Sequence, residues 1–120
     1  MKKIGDGIHC DNAQLKLGGT YDHNFVINGD GLREAAVLQS KESGIRLTCF
    51  TDQPGVQLYV PCYTLHQKGI DGKDYPPYSA VCLETQHYPN AINIEHFPSV
   101  VLKAGENFRS KTLYHFSVMG

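Results

Sequence analysis

The 120 residues include no tryptophan and no apolar run long enough to span a bilayer. Met1-Lys2-Lys3 leads into Ile4-Gly5-Asp6-Gly7-Ile8-His9, in which glycine, aspartate and histidine interrupt any apolar stretch, so neither a secretory leader nor a membrane anchor is expected. Charged residues make up 19% and the formal net charge is -1, with no basic block, which gives no electrostatic basis for binding nucleic acid or an anionic membrane. None of the four cysteines, Cys10, Cys49, Cys62 and Cys82, falls in a C-x-x-C pair. Reduced and mostly buried thiols in a cytoplasmic protein are expected, rather than a zinc site or a disulfide framework. The six histidines, His9, His23, His66, His87, His96 and His115, form no H-x-x-x-H pattern, so no metal is expected. A Gly-rich phosphate loop and a G-x-S-x-G elbow are both missing, and no nucleotide or other cofactor is expected.

Helical periodicity is almost absent as well. Short runs rich in β-branched and aromatic residues recur instead, separated by Gly, Pro, Asn and Asp clusters. They predict strands over His23–Asn28, Glu34–Gln39, Gly44–Thr51, Val56–Val60, Ser79–Gln86, Ser99–Lys103 and Asn107–Val118, with a hairpin around Lys41-Glu42-Ser43. The expected fold is an all-β antiparallel sandwich forming a single domain over residues 1–120. Gln67–Tyr78, rich in Gly and Pro, reads as a surface loop stiffened at its exit by Pro76-Pro77.

Side chains alternate faces along a strand, and this parity sorts the candidates for chemistry. Asp22 and Asn24 share one face of their run, with His23 and Phe25 on the other. Gln57 and Tyr59 oppose Val56, Leu58 and Val60, and Glu84 lies with Cys82 and Gln86, opposite Val81 and Leu83. Glu84 has no basic neighbour in sequence. On a partly dry sheet face its basicity would rise, as suits a general base for an alcohol proton. On an exposed strand it would be an ordinary solvated carboxylate, the reading that the pattern alone favours.

Four local runs carry a resemblance: Gly19-Thr20-Tyr21-Asp22-His23-Asn24-Phe25, Thr51-Asp52-Gln53-Pro54-Gly55-Val56-Gln57-Leu58-Tyr59, Cys82-Leu83-Glu84-Thr85-Gln86 and His96-Phe97-Pro98-Ser99-Val100-Val101-Leu102. In order and spacing the chain resembles the C-terminal portion of the aldose 1-epimerase (galactose mutarotase) family. The closing Lys103-Ala104-Gly105-Glu106 is similar to the family's terminal turn, with Ala104 where proline is usual. The resemblance implies a part of a galactose-mutarotase-like β-supersandwich, and an isomerase that interconverts the α and β anomers of free aldoses such as galactose or glucose. It implies Glu84 as the catalytic general base, with Asp22 and Gln57 as substrate-binding residues. The family's catalytic histidine, a second histidine and an arginine of the sugar site belong upstream of the matched region, and His23, His87 and His96 do not correspond to them. The alternatives are a non-catalytic carbohydrate-binding module or an incomplete fragment. The expected partners are a free sugar together with either a second copy of the chain or a missing N-terminal half.

Overall fold

The computed structural model describes residues 2–63 and 68–120. Among the described residues six strands are formed: β1 (Asp22–Val26), β2 (Arg33–Gln39), β3 (Ile45–Thr51), β4 (Gly55–Tyr59), β5 (Cys82–Gln86) and β6 (Thr112–Val118). They make two three-stranded sheets, ordered β1-β4-β5 and β2-β3-β6. By compactness the chain divides into two units, residues 1–23 with 57–82 and residues 24–56 with 83–120. Among the described residues no helix is long and apolar enough to cross a membrane.

The second unit contains the whole β2-β3-β6 sheet. The hairpin expected around Lys41-Glu42-Ser43 is present. Its turn closes through Ser40 N–H to the Ile45 carbonyl and Gly44 N–H to the Ser40 carbonyl, and Gly44 takes a φ of 71°. The antiparallel β2–β3 register runs from Arg33 opposite Thr51 to Gln39 opposite Arg46, with an irregularity between Glu34 and Ala36. That bulge keeps Ala36 and Leu38 on the same face as Cys49 and Leu47. On the other side of β3, β6 pairs antiparallel, with Tyr114, Phe116 and Val118 opposite Cys49, Leu47 and Ile45. One face of the sheet is therefore apolar across all three strands. Its Tyr114 end is tied to β5, where the Tyr114 hydroxyl donates to the Leu83 carbonyl at 2.7 Å. At the same end the Thr85 and Thr112 hydroxyls lie 2.6 Å apart. At the other end Phe116 is 66% exposed and Val118 82%.

Arg33 holds the ends of several segments of this unit together. Its guanidinium donates to the carbonyls of Ile27, Asn28, Gly31, Thr51 and Gln53 at 2.8–3.2 Å. Ile27 N–H donates to the Pro54 carbonyl beside it. The buried positions here include Cys49, Val56, Thr51 and Ala91.

In the first unit a short helix, α1 (Ala13–Gly18), stands where no helical period is present. Six residues are too few to show one. Its signals are at the ends: the Asn12 side chain accepts the Gln14 N–H, and Gly19 closes the helix in the left-handed region. The buried Thr20 donates its hydroxyl to the Val60 carbonyl at 2.8 Å, and Val60 N–H donates to the Tyr21 carbonyl. Among the described residues of this unit, Ile8 and Val60 are the buried apolar side chains. From Lys68 to Tyr78 the predicted loop is mostly exposed and includes a small closure, with Gly69 N–H donating to the Lys73 carbonyl and Lys68 bridging Asp74. Gln67, which opens the predicted loop, and His66 lie outside the described residues.

Three predicted strands lose three or more residues at their start or are absent. Ser99–Lys103 forms no strand, and its backbone is satisfied locally, Val101 N–H by the Ser99 hydroxyl and Lys103 N–H by the Glu106 carboxylate. The run from Asn107 joins the sheet only at Thr112, because Asp52 takes up Lys111: its carboxylate accepts the Lys111 N–H and its own N–H donates to the Lys111 carbonyl. The run from Ser79 becomes β5 only at Cys82, after a turn in which Tyr78 takes a φ of 64° and Ser79 N–H donates to the Pro76 carbonyl.

Candidate functional site

Asp22 opens β1 and Gln57 is the central residue of β4. The structure brings these two together in the first unit: the Gln57 amide donates to the Asp22 carboxylate at 2.7 Å. The carboxylate keeps further lone pairs, and the amide brings both donor and acceptor character. Such a pair can accept from one hydroxyl and donate to another, which is what a vicinal diol presents. Asp22 is exposed and Gln57 half-buried, so the pair is accessible to a ligand.

Asp22 is also fixed from its own backbone. Its N–H donates to His23 Nδ1 at 3.1 Å, and His23 Nε2 is 3.1 Å from the Gln14 carbonyl on α1. Sequence reading set His23 aside. Its contact with the preceding residue could not be inferred from strand alternation, which points neighbouring side chains to opposite faces.

In the second unit Asn24 does a related job. The Gln86 amide donates to the Asn24 side-chain oxygen at 3.3 Å. Gly55 lies so close to Asn24 that a Cβ there would come within 2.5 Å of the same oxygen. Glycine before Val56 is thus required by close approach of the Asn24 amide rather than by a turn.

Glu84 is the middle residue of β5, in the second unit, and is exposed. Of the two readings open from the sequence, the partly dry face is not what the structure shows for this carboxylate. Tyr114 lies near it: desolvation pushes the phenol's pKa up, with the Cys49 thiolate, once ionised, and the Glu84 carboxylate acting in the same direction. Burial likewise raises the Cys49 thiol.

A polar chain lies close by in the same unit. His87 Nδ1 is 2.8 Å from the Gln53 side-chain oxygen, the Gln53 amide donates to the Ser110 hydroxyl at 2.6 Å, and Ser110 donates to Asp52 at 3.0 Å. Asp52 is held below the ordinary carboxylate range, first by the Lys111 N–H and further by the Ser110 hydroxyl, against a partial opposing effect of desolvation. This chain joins the β5 exit to the β6 entry and accounts for His87 and Asp52 as structural groups. Among the described residues no group of three His, Cys, Asp or Glu side chains is placed to hold a metal ion. Two surface hollows, one along Ile8, His9, Leu15 and Lys16 and one along Ile27, Arg33, Asp52 and Tyr88, are lined by residues other than Asp22, Gln57 and Glu84.

Two three-stranded sheets, one of which carries the hydrogen-bonded Asp22–Gln57 pair, define a β-protein. The comparisons narrow the class. The family model described as aldose 1-epimerase matches residues 2–115, and the chain belongs to that family. It is 44% identical over 102 residues to a galactose mutarotase of Bos taurus, covering 82% of this chain and 29% of the bovine protein. To the galactose mutarotase of Homo sapiens it is 41% identical over 121 aligned residues, covering 98% of this chain and 34% of the human one. A crystal structure of a GalM/aldose epimerase homologue from C. elegans superposes with a TM-score of 0.74 at 30% identity, over 83% of this chain and 30% of that one. The chain thus spans about a third of the length of the relatives it matches.

Proposed function

We propose that the chain carries the general base and part of the sugar-binding surface of an aldose 1-epimerase acting on free aldoses such as galactose or glucose. The observation that supports this most is the Asp22–Gln57 hydrogen bond, formed between residues of two motifs that resemble the family's sugar-contacting runs. In this reading Asp22 accepts from, and Gln57 donates to, hydroxyls of the bound sugar. The Glu84 carboxylate removes the proton from the anomeric hydroxyl while a general acid protonates the ring oxygen. The C1–ring oxygen bond breaks to give the open-chain aldehyde. Rotation about C1–C2 presents the other carbonyl face, and reclosure returns the proton to the anomeric oxygen from Glu84 and takes the ring proton back to the acid. None of the matched motifs supplies that acid. The step needs no metal, redox partner or covalent intermediate.

The same reading assigns a partner to the apolar face of the β2-β3-β6 sheet. Ile45, Phe116 and Val118 are exposed there, and relatives about three times as long have chain to place on it. We propose that further mutarotase-family chain, in the same polypeptide or a separate one, covers this face.

The test is polarimetry of freshly dissolved α-D-galactose with the protein, under conditions in which it accelerates equilibration. Glu84→Gln should lower the catalysed rate by about 10²- to 10⁴-fold, the contribution of a positioned general base. An unchanged rate would remove Glu84 from the reaction.

A further inference from the structure

We infer that His23 is a positioning residue for Asp22: a neutral imidazole fixed as its Nε2–H tautomer, anchored on α1 and accepting the Asp22 backbone N–H. The inference rests on the reading of Asp22 and Gln57 as the sugar-contacting pair. The atoms that carry it all belong to the first unit.

Both ring nitrogens of His23 are engaged by main chain. Nδ1 is 3.1 Å from the Asp22 nitrogen, whose hydrogen it can only accept. Nε2 is 3.1 Å from the Gln14 carbonyl oxygen, to which it can only donate. A backbone N–H on one side and a carbonyl on the other leave one tautomer, with the proton on Nε2. A protonated ring would set a ring N–H against the Asp22 N–H and lose the first bond. The ring also lies against Gly18 at the end of α1, where a Cβ would stand 3.4 Å from His23 Cε1 and 3.9 Å from Asp22 Cβ. The end of the helix thus meets both the histidine ring and the aspartate.

The consequence concerns the exposed end of a strand. Asp22 is the first residue of β1, and its carboxylate is accessible. A first strand residue has freedom that interior ones lack, and each loosely held rotor costs entropy when a ligand fixes it. His23 removes that freedom at the Asp22 backbone, while Gln57 holds the carboxylate at 2.7 Å. The aspartate is therefore preset before any sugar arrives. His23 supplies no proton and touches no sugar in this scheme. Its effect on the reaction passes through Asp22.

The test uses the ¹⁵N-labelled protein in two stages. In the unsubstituted protein, long-range ¹H–¹⁵N correlation should show His23 with an unprotonated Nδ1 and a protonated Nε2. The opposite neutral tautomer, or rapid averaging between the two, would overturn the inference without any variant. In the second stage the Asp22 amide and the Gln57 side-chain amide are followed in His23→Phe and His23→Asn. Phenylalanine removes the acceptor and should shift both resonances and weaken D-galactose binding about threefold to tenfold, the scale of one lost hydrogen bond. Asparagine places a side-chain oxygen near the Nδ1 position and should restore both resonances and most of the affinity. Identical Asp22 and Gln57 resonances in the wild type and His23→Phe would overturn the positioning role. If the unsubstituted protein takes up no galactose, the sugar-site reading fails, and the tautomer and amide shifts still decide what His23 does.

Discussion

At the scale of single residues, burial and hydrogen bonding separate groups that look alike in the sequence. Asp22 and Asp52 are both exposed aspartates next to strand termini. Asp22 bonds one side-chain amide, whereas Asp52 accepts from the Lys111 backbone and the Ser110 hydroxyl and is held acidic by them. A carboxylate whose folded pKa lies below its unfolded value contributes stability above the unfolded value, about 3.9 for aspartate, and loses it as pH falls through the folded one. The thermal midpoint of the wild type should therefore drop as the pH is lowered below about 4. Asp52→Asn should be less stable near neutrality and should show a flatter decline over that acid range. Scanning calorimetry at several pH values checks this, and equal slopes for the two proteins would detach Asp52 from acid stability.

Legibility differed from residue to residue for physical reasons. Asp22, Gln57 and Glu84 stood out because strand alternation separates polar from apolar side chains, and their runs resemble a known family. Strand alternation alone favours a solvated Glu84, and the structure exposes it. It could not reveal His23 as the acceptor for Asp22 or Gly55 as the partner of Asn24. The first is a bond between adjacent residues set by the ring's anchoring on Gln14, and the second is a backbone's close approach to a side chain from another strand.

At the scale of elements, the hairpin and most strands follow from β-branched runs and turn residues, and they are found close to where the sequence puts them. The failures share a cause. Val100, Val101 and Leu102 have strand-like composition, but side chains from Ser99 and Glu106 satisfy the backbone locally. α1 is set by its caps rather than by a periodic apolar face. Arg33 is the corresponding device in the second unit, gathering five carbonyls from the segments flanking β2 and β3. Arg33→Met should lower stability by about 2–3 kcal/mol, because those carbonyls lose a charged donor while remaining partly shielded. Arg33→Lys should recover only part of the loss, since an ammonium cannot span the fork that the guanidinium fills. Chemical denaturation measures both, and a neutral Arg33→Met would show that water replaces the guanidinium without cost.

At the scale of the whole molecule, the chain has a small buried core and many exposed large apolar side chains. Leu17, Phe108, Phe116 and Val118 are each more than 60% exposed. Its relatives are about three times as long. A surface of this kind should make the isolated chain associate in a concentration-dependent way. Phe116→Ser combined with Val118→Ser should reduce that association while leaving the Asp22–Gln57 resonances in place. Sedimentation velocity over a hundredfold concentration range checks the first part, and a single unchanging species would show that this face needs no cover.

The proposed role of the Asp22–Gln57 pair is to hold a free aldose. Calorimetric titration of the protein with D-galactose, set beside Asp22→Ala, tests it most directly. A saturable heat is expected for the wild type, with an affinity lower by about tenfold to a hundredfold in the variant, the scale of a lost hydrogen bond to a charged group. No heat with the wild type, or the same isotherm for both proteins, would contradict it.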